Sequence, residues 1–261
     1  MDLIDTHTHL YLGEFDDDRE EVVLRAKEKG IRKLLLPNID SGSIQGMHTM
    51  CSLFPGICLP MMGLHPGSVD RNFEEELEIA ESWLDKNEYV AIGETGIDLY
   101  WSTVYREQQL EAFKIQIRWA KQRSLPIVIH ARESFNEIFS VLDKLADENL
   151  RGVFHSYTGN EDQAKHILEY GFYFGINGIL TYKNSSLMKT LESIPPEKVL
   201  LETDSPYLSP VPKRGSRNES LNLLYIAEKA AQVYKCSVDE IASVTTRNAR
   251  TVFKLTEENG R

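Results

Sequence analysis

Two histidines one residue apart, His7 and His9, follow the short apolar pair Leu3-Ile4 near the start of the chain. Along a strand, side chains alternate faces, so residues i and i+2 point the same way. Two imidazoles on one face at a strand's end are placed to grip a metal ion. Such a pair can also be ordinary polar residues at a strand terminus, so the weight falls on what the other apolar runs lead into. Tyr89–Gly93 leads into Glu94, Pro126–Ile129 into His130, Gly152–Phe154 into His155, and Val199–Thr203 into Asp204. Six metal-capable side chains thus sit at the ends of five apolar runs. Four histidines and two carboxylates are too many for one tetrahedral zinc with an open position. Divided between two ions with one carboxylate bridging, they give sensible coordination. A pair of divalent ions roughly 3.5–4 Å apart polarises a phosphoryl or carbonyl oxygen and activates water. Oxygen and imidazole donors suit zinc, magnesium, manganese or iron without choosing among them.

Something must hold these residues on one rim. Eight short apolar runs read as strands: Leu3–Thr6, Ile31–Pro37, Ile57–Gly63, Tyr89–Gly93, Pro126–His130, Gly152–His155, Tyr173–Ile176 and Val199–Thr203. Between them the apolar period lengthens to three and four. Leu110, Phe113, Ile117 and Ala120 mark one helix, Phe135, Ile138, Phe139 and Leu142 a second, and Leu223, Ile226, Ala227 and Ala230 a third. Ser237-Val238-Asp239-Glu240 fits a capping box that opens a last helix. Alternating strands and helices imply a parallel sheet, and eight such units predict a closed (β/α)8 TIM-like barrel of class α/β. The nucleotide-binding form of the rival, an open doubly wound sheet, would carry a G-x-G-x-x-G turn, and none is present. No repeat, linker or composition break divides residues 1–261, so one domain is expected. The acidic stretch Glu14–Glu21 reads as the solvated start of the first helix, and the Pro-rich Ser205–Lys213 as a surface loop.

A barrel enzyme builds its site at the carboxyl ends of its strands, and those ends carry the six candidates. Five of the seven histidines (His7, His9, His65, His130, His155) follow strands, whereas His48 and His166 lie in helical patterns and read as ordinary polar residues. The formal net charge of −11 argues against a general phosphate-coating surface but not against phosphate held at one metal-rich spot. No apolar run approaches the roughly 18 residues of a membrane span. Met1-Asp2-Leu3 lacks the basic region and apolar core of a signal peptide, and the three cysteines form no C-x-x-C. A cytoplasmic protein with reduced thiols is expected.

Taken together, the motifs resemble those of the TatD family. The resemblance rests on Ile4-Asp5-Thr6-His7-Thr8-His9-Leu10, Gly63-Leu64-His65-Pro66, and Ile92-Gly93-Glu94-Thr95-Gly96-Ile97-Asp98. It continues through Leu125–Arg132, His155-Ser156-Tyr157-Thr158-Gly159 and Leu201–Tyr207, and ends with Arg214-Gly215 and Asn218-Glu219. That family is a branch of the metal-dependent hydrolase barrels, described as deoxyribonucleases and often as 3′→5′ exonucleases. The resemblance implies one ion on His7, His9, Glu94 and Asp204, and a second on Glu94, His130 and His155, with Glu94 as the bridge. Asp204 is then the expected acid/base, and Asp98 is expected to fix ligand geometry. His65 and Arg132 are candidates for phosphate oxygens, Arg214 for a more distant phosphate clamp, and Tyr100-Trp101 for stacking a base or, equally, for a buried or helix-capping role. The expected substrate is DNA with unpaired ends, acted on by a monomer. A hydrolase of the same mechanism acting on an aminoacyl-tRNA or a small ester or amide stays open, as does a non-catalytic metal-binding scaffold. Two residues depart from the family pattern. Gly67 stands where many members have histidine, which bears on substrate holding. Ser220 replaces a proline, for which a local backbone effect is expected.

Overall fold

The computed structural model describes residues 1–256. Its strands are β1 (Leu3–Asp5), β2 (Ile31–Pro37), β3 (Cys58–Met62), β4 (Ala91–Asp98), β5 (Ile127–Arg132), β6 (Gly152–Phe154), β7 (Tyr173–Ile176) and β8 (Val199–Leu201). Each pairs in parallel with the next, from β1 through to β8. The helices are α1 (Arg19–Glu28), α2 (Ile44–Leu53), α3 (Phe73–Leu84), α4 (Arg106–Arg123), α5 (Phe135–Leu145), α6 (Glu161–Glu169), α7 (Leu187–Glu192), α8 (Leu223–Tyr234) and α9 (Val238–Phe253). The result is a nearly closed α/β barrel of the TIM type in a single domain. No helix among the described residues is long and apolar enough to cross a membrane.

Burial on both faces explains why the strands read as continuous apolar runs. In β2, Leu34 and Leu36 join the core shared with the helices, whereas Leu35 points into the barrel. There it meets Ile4, Leu59, Met61, Ala91, Val128, Val153 and Leu200. Val252 and Phe253 of α9, with Leu255 beyond it, extend this interior cluster. The barrel is therefore packed, and a substrate reaches it only from the rim. The capping box at Ser237 forms as expected: its hydroxyl accepts from the Glu240 amide while the Glu240 carboxylate accepts from the Ser237 amide.

The seam between β1 and β8 closes just beyond the strands. Thr6 donates its amide to the Leu201 carbonyl at 3.1 Å, Asp204 to that of His7 at 2.9 Å, and His9 to that of Ser205 at 2.8 Å. The buried Asp5 carboxylate strengthens the seam, accepting from the Thr203 amide at 2.9 Å and the Thr203 hydroxyl at 2.7 Å. Burial raises its pKa to about 7 against those hydrogen bonds. The seam thus fixes His7, His9 and Asp204 relative to one another.

Three expectations are corrected. Glu94 does not end its strand: β4 is irregular between Ile92 and Thr95 and then resumes pairing with β5 as far as Asp98–Arg132. Gly96 makes this continuation possible. Its φ is +132°, and a Cβ there would lie 2.1 Å from the His130 carbonyl oxygen, so a residue that reads as a strand breaker holds the strand close. The acidic stretch mostly precedes α1, with Gly13–Phe15 forming a 3-10 turn and the helix starting at Arg19. Asp18 pairs with Arg25 and Arg217. The Pro-rich loop is only partly at the surface, since Ser205 and Pro206 are buried.

Candidate metal centre and active site

All six residues nominated as ligands converge at the carboxyl end of the barrel. Glu94 stands at their centre, buried, with its two oxygens facing different histidines. Oε2 lies 3.0 Å from His7 Nε2 and 3.8 Å from His9 Nε2. Oε1 lies 2.9 Å from His130 Nδ1 and 3.7 Å from His155 Nε2. Asp204 brings Oδ1 to 3.5 Å from His9 Nε2, 3.8 Å from His155 Nε2 and 3.9 Å from His7 Nε2. Its backbone is left-handed, with φ at 56°, a conformation that aspartate tolerates better than most residues. Three overlapping sets bring one donor atom from each member within 4.8 Å of the others: His7 with His9 and Glu94, His7 with His155 and Asp204, and His65 with Glu94 and His130.

The partners of each ring decide which nitrogen can bind a cation. Tyr11 gives its one hydroxyl proton to the Pro37 carbonyl at 2.6 Å, so toward His9 Nδ1, 2.9 Å away, its oxygen can only accept. His9 therefore carries its proton on Nδ1 and turns a free lone pair on Nε2 to the two carboxylates. His155 Nδ1 lies 2.8 Å from Glu202 Oε1, an ion-pair approach that departs from linear hydrogen-bond geometry. A carboxylate only accepts, so at this separation Nδ1 is protonated and Nε2 again faces inward. His130 Nε2 is held by Asp98 Oδ2 at 2.9 Å, leaving Nδ1 for the Glu94 side. His7 stacks on the His155 ring with centroids 3.4 Å apart, and its Nδ1 is buried without a hydrogen-bond partner.

His65 differs. The Gly67 amide donates to its Nδ1 at 2.9 Å, which puts the proton of the neutral ring on Nε2, 3.6 Å from Glu94 Oε1. In this state the ring is a hydrogen-bond donor to the cavity, despite its place in the third donor set. Gly67 permits this closeness, because a Cβ there would stand 3.0 Å from Nδ1.

Electrostatics agree with a cation site. Burial pushes the Glu94 carboxyl up, but His7, His155 and His65 around it hold it well below the usual carboxylate range. Asp204 is lowered in the same way, burial being outweighed by His155, His9 and His7. Burial lowers the His155 pKa, yet Glu202, Glu94 and Asp204 raise it to about 10. Burial likewise opposes His130, which Asp98 and Glu94 bring to about 9. His65 is pushed down to about 4, chiefly by burial. Two anionic carboxylates, Glu94 buried and Asp204 partly so, are thus balanced by protons on imidazoles, and among the described residues neither forms an ion pair with a lysine or arginine. A divalent cation supplies the same charge while leaving the rings neutral donors. The donor set fits one or more such ions.

Sequence reasoning nominated none of Tyr11, Glu202 or Asp5. Glu202 had a signal, a carboxylate inside the apolar run Val199–Thr203. It is buried where a Cβ on Gly175 would fall 2.2 Å from its Oε2, so glycine on the neighbouring strand leaves it room. Ser220 proves more than a local backbone change: it is buried, and its hydroxyl helps to lower the pKa of Asp5, though outside strict hydrogen-bond geometry.

Above the carboxylates opens a cavity of about 600 Å³, with His65, Arg132, Trp101 and Tyr207 in its walls. The Arg132 guanidinium lies 3.7 Å from the centroid of the Tyr100 ring and 5.3 Å from that of Trp101. Trp101 is 77% exposed and Tyr100 53%, which removes the buried role, and α4 begins only at Arg106 behind Tyr105, which removes the capping role. Arg214 does not line this cavity. It lies in an adjoining lobe of about 390 Å³, over the Tyr182 ring at 4.0 Å. His48 bonds Tyr89 and His166 bonds Asp143, away from the cluster.

Comparison with known proteins agrees with this geometry. The family described as TatD related DNase matches residues 4–254. The chain is 34% identical to the uncharacterized metal-dependent hydrolase YabD of Bacillus subtilis (strain 168), covering 97% of this chain and 99% of that one. It is 31% identical to the 3′-5′ ssDNA/RNA exonuclease TatD of Pantoea vagans (strain C9-1), covering 97% and 100%. Among solved structures, YJJV, a TatD homolog from Escherichia coli K12, superposes with a TM-score of 0.91 at 25% identity, covering 97% of this chain and 98% of that chain. This chain belongs to the TatD family of metal-dependent hydrolases, enzymes that cleave ester bonds.

Proposed function

We propose that the protein is a deoxyribonuclease that uses two divalent ions and removes nucleotides from free, unpaired 3′ ends. The observation that carries this reading is the division of labour at Glu94, one oxygen toward His7 and His9, the other toward His130 and His155. In it, His7, His9, Glu94 and Asp204 hold one ion, and Glu94, His130 and His155 the other. Ions so held would neutralise charge on the phosphodiester and lower the pKa of a bound water. Asp204, the least buried carboxylate of the cluster at 14% side-chain exposure, accepts the proton of the attacking water at a carboxylate oxygen. His65 donates from Nε2 to a phosphate oxygen, and Arg132 presents the edge of a guanidinium whose face is already occupied by Tyr100. Trp101 and Tyr207 offer exposed ring faces for an unpaired base. A strand end needs only these few contacts, which suits a chain of net charge −11 better than a long duplex footprint.

The test compares linear, end-labelled single-stranded DNA with a circle of similar length, with zinc, manganese, magnesium or iron(II) added in turn. Metal-dependent shortening of the line from its 3′ end, with the circle spared, is expected. Equal cutting of the circle replaces the exonuclease with an endonuclease. Cleavage of an aminoacyl-tRNA or a small ester in place of either DNA overturns the nuclease assignment, and RNA run alongside sets the breadth toward sugars.

A further inference from the structure

The lobe that holds Arg214 opens from the main cavity: Thr158 and Ile179 line both. Its remaining walls come from Tyr182–Leu187 and Arg214, so it brings together two cations and no carboxylate. Elsewhere several cations are neutralised by acids: Arg25 meets Asp18 and Glu219, Arg123 meets Asp85, and Lys121 meets Asp147. Lys183 and Arg214, both exposed, form no ion pair among the described residues. The lobe is also held in shape. The Tyr182 hydroxyl donates to the Ser209 carbonyl at 3.1 Å, and the Val211 amide donates to the Thr181 hydroxyl at 2.8 Å. These bonds sew the loop after β7 to the loop after β8, and Arg214 lies on the ring so fixed. Stacking restrains a guanidinium's plane while leaving its N–H edge free for an anion.

The same device stands at Arg132, where Tyr100 carries the guanidinium. Arg132 ends β5 and Tyr100 follows β4, whereas Tyr182 and Arg214 follow β7 and β8. Around the eight-stranded ring the two pairs are separated on one side by β6 alone, whose end carries His155.

We propose that the lobe is a second phosphate subsite, in which Arg214 and Lys183 hold the backbone of a single-stranded polynucleotide whose reacting phosphodiester lies over Glu94 and Asp204. The Ser185 and Ser186 hydroxyls add uncharged donors. Guanidinium, ammonium and hydroxyl donors suit phosphate oxygens, so in this subsite they hold the strand's backbone and position it. The inference rests on the nuclease reading and adds a direction of travel: the chain crosses the rim from the Tyr100–Arg132 side to the Tyr182–Arg214 side.

The test uses the full-length protein with magnesium and phosphorothioate oligothymidylates of two to five residues, binding being read by fluorescence anisotropy over a range of salt. Binding is expected to tighten several-fold with length. In the Lys183→Ala/Arg214→Ala double variant that gain disappears, and the slope of log K against log salt falls by about 0.7 for each phosphate no longer neutralised. A parent that binds five residues no better than two overturns the subsite, as does a double variant that keeps both the gain and the slope. Cleavage of the matching phosphodiester oligomers is followed in parallel. Length-dependent binding with no cleavage under any metal removes the nuclease reading and leaves the subsite standing. Cleavage without the length effect does the reverse.

Discussion

The floor of the site and its rim are built on different principles. On the floor, His7, His9, Glu94 and His155 are almost fully buried, and His9, His130 and His155 each meet a hydroxyl or carboxylate that orients the ring. At the rim, Trp101 is 77% exposed, and Arg132 and Arg214 are steadied mainly by aromatic faces. The floor residues lie in the strands or within a few residues of their ends, whereas the rim residues stand on loops, save Arg132 at the last position of β5. Preorganised charge in a dry site acts strongly on a transition state, whereas solvated contacts act chiefly on binding. Damage to the floor should therefore appear in turnover and metal affinity, and damage to the rim in substrate affinity.

The largest effect expected is at Asp204. Asp204→Asn keeps the shape but loses the proton acceptor and one of the two carboxylate charges facing His9, so kcat should fall by about 10³-fold or more. Steady-state kinetics at saturating metal check it, with circular dichroism showing that the barrel still folds. Activity within a few-fold of the parent would show that the floor does not govern turnover.

Next comes Glu202, which touches the floor only through His155. Glu202→Gln fits beside Gly175 but removes the charge that raises the basicity of the ring, so metal affinity should fall roughly 10–100-fold. Activity returning as metal is added would separate this from a folding defect. An unchanged metal titration would reduce Glu202 to a packing residue.

At the rim, Arg132→Ala should raise KM about tenfold with kcat and the metal titration near the parent's, because a solvated phosphate contact acts on ground and transition states alike. A drop in kcat equal to the drop in kcat/KM would move Arg132 to the floor and dissolve the distinction.

The same division explains what the sequence could tell. All eight strands were legible because each is buried on both faces, and the six clustered residues because each follows or lies near the end of such a run. Glu94 reads as a strand end because the apolar run Tyr89–Gly93 stops there, and nothing in one sequence reveals that Gly96 lets β4 hug the His130 carbonyl. Glu202 and Asp5 act through contacts to residues far along the chain, and Tyr11, though only two residues from His9, has its proton directed by the Pro37 carbonyl 26 residues on, relations that local spacing does not encode. Tyr100-Trp101 stayed ambiguous until exposure decided it. Arg214 reads as a more distant clamp than Arg132, and the folded loops after β7 and β8 put the two in different cavities.

The smallest expected effect concerns the strut that braces the rim from outside. Asp18 accepts from both terminal nitrogens of Arg217 at 2.7 Å and from Arg25 at 3.0 Å, while Arg217 also lies over the Phe15 ring. Arg217 belongs to the chain segment that carries Arg214, so this network ties that loop to the start of α1. Arg217, then Arg25, hold the Asp18 pKa near 2 against an ordinary 3.8. Because the folded value is the lower one, the carboxylate contributes stability in full above pH 3.8 and loses it as pH falls toward 2. The side chain is 32% exposed, so after solvent screening the contribution is about 1 kcal/mol. Urea denaturation of the parent and Asp18→Asn should differ by that amount at neutral pH and converge as the pH drops below about 4. A gap of constant size from about pH 7 to about pH 3 would mean that the charge on Asp18 does not brace the loop. Arg214 would then owe its position to Tyr182 alone.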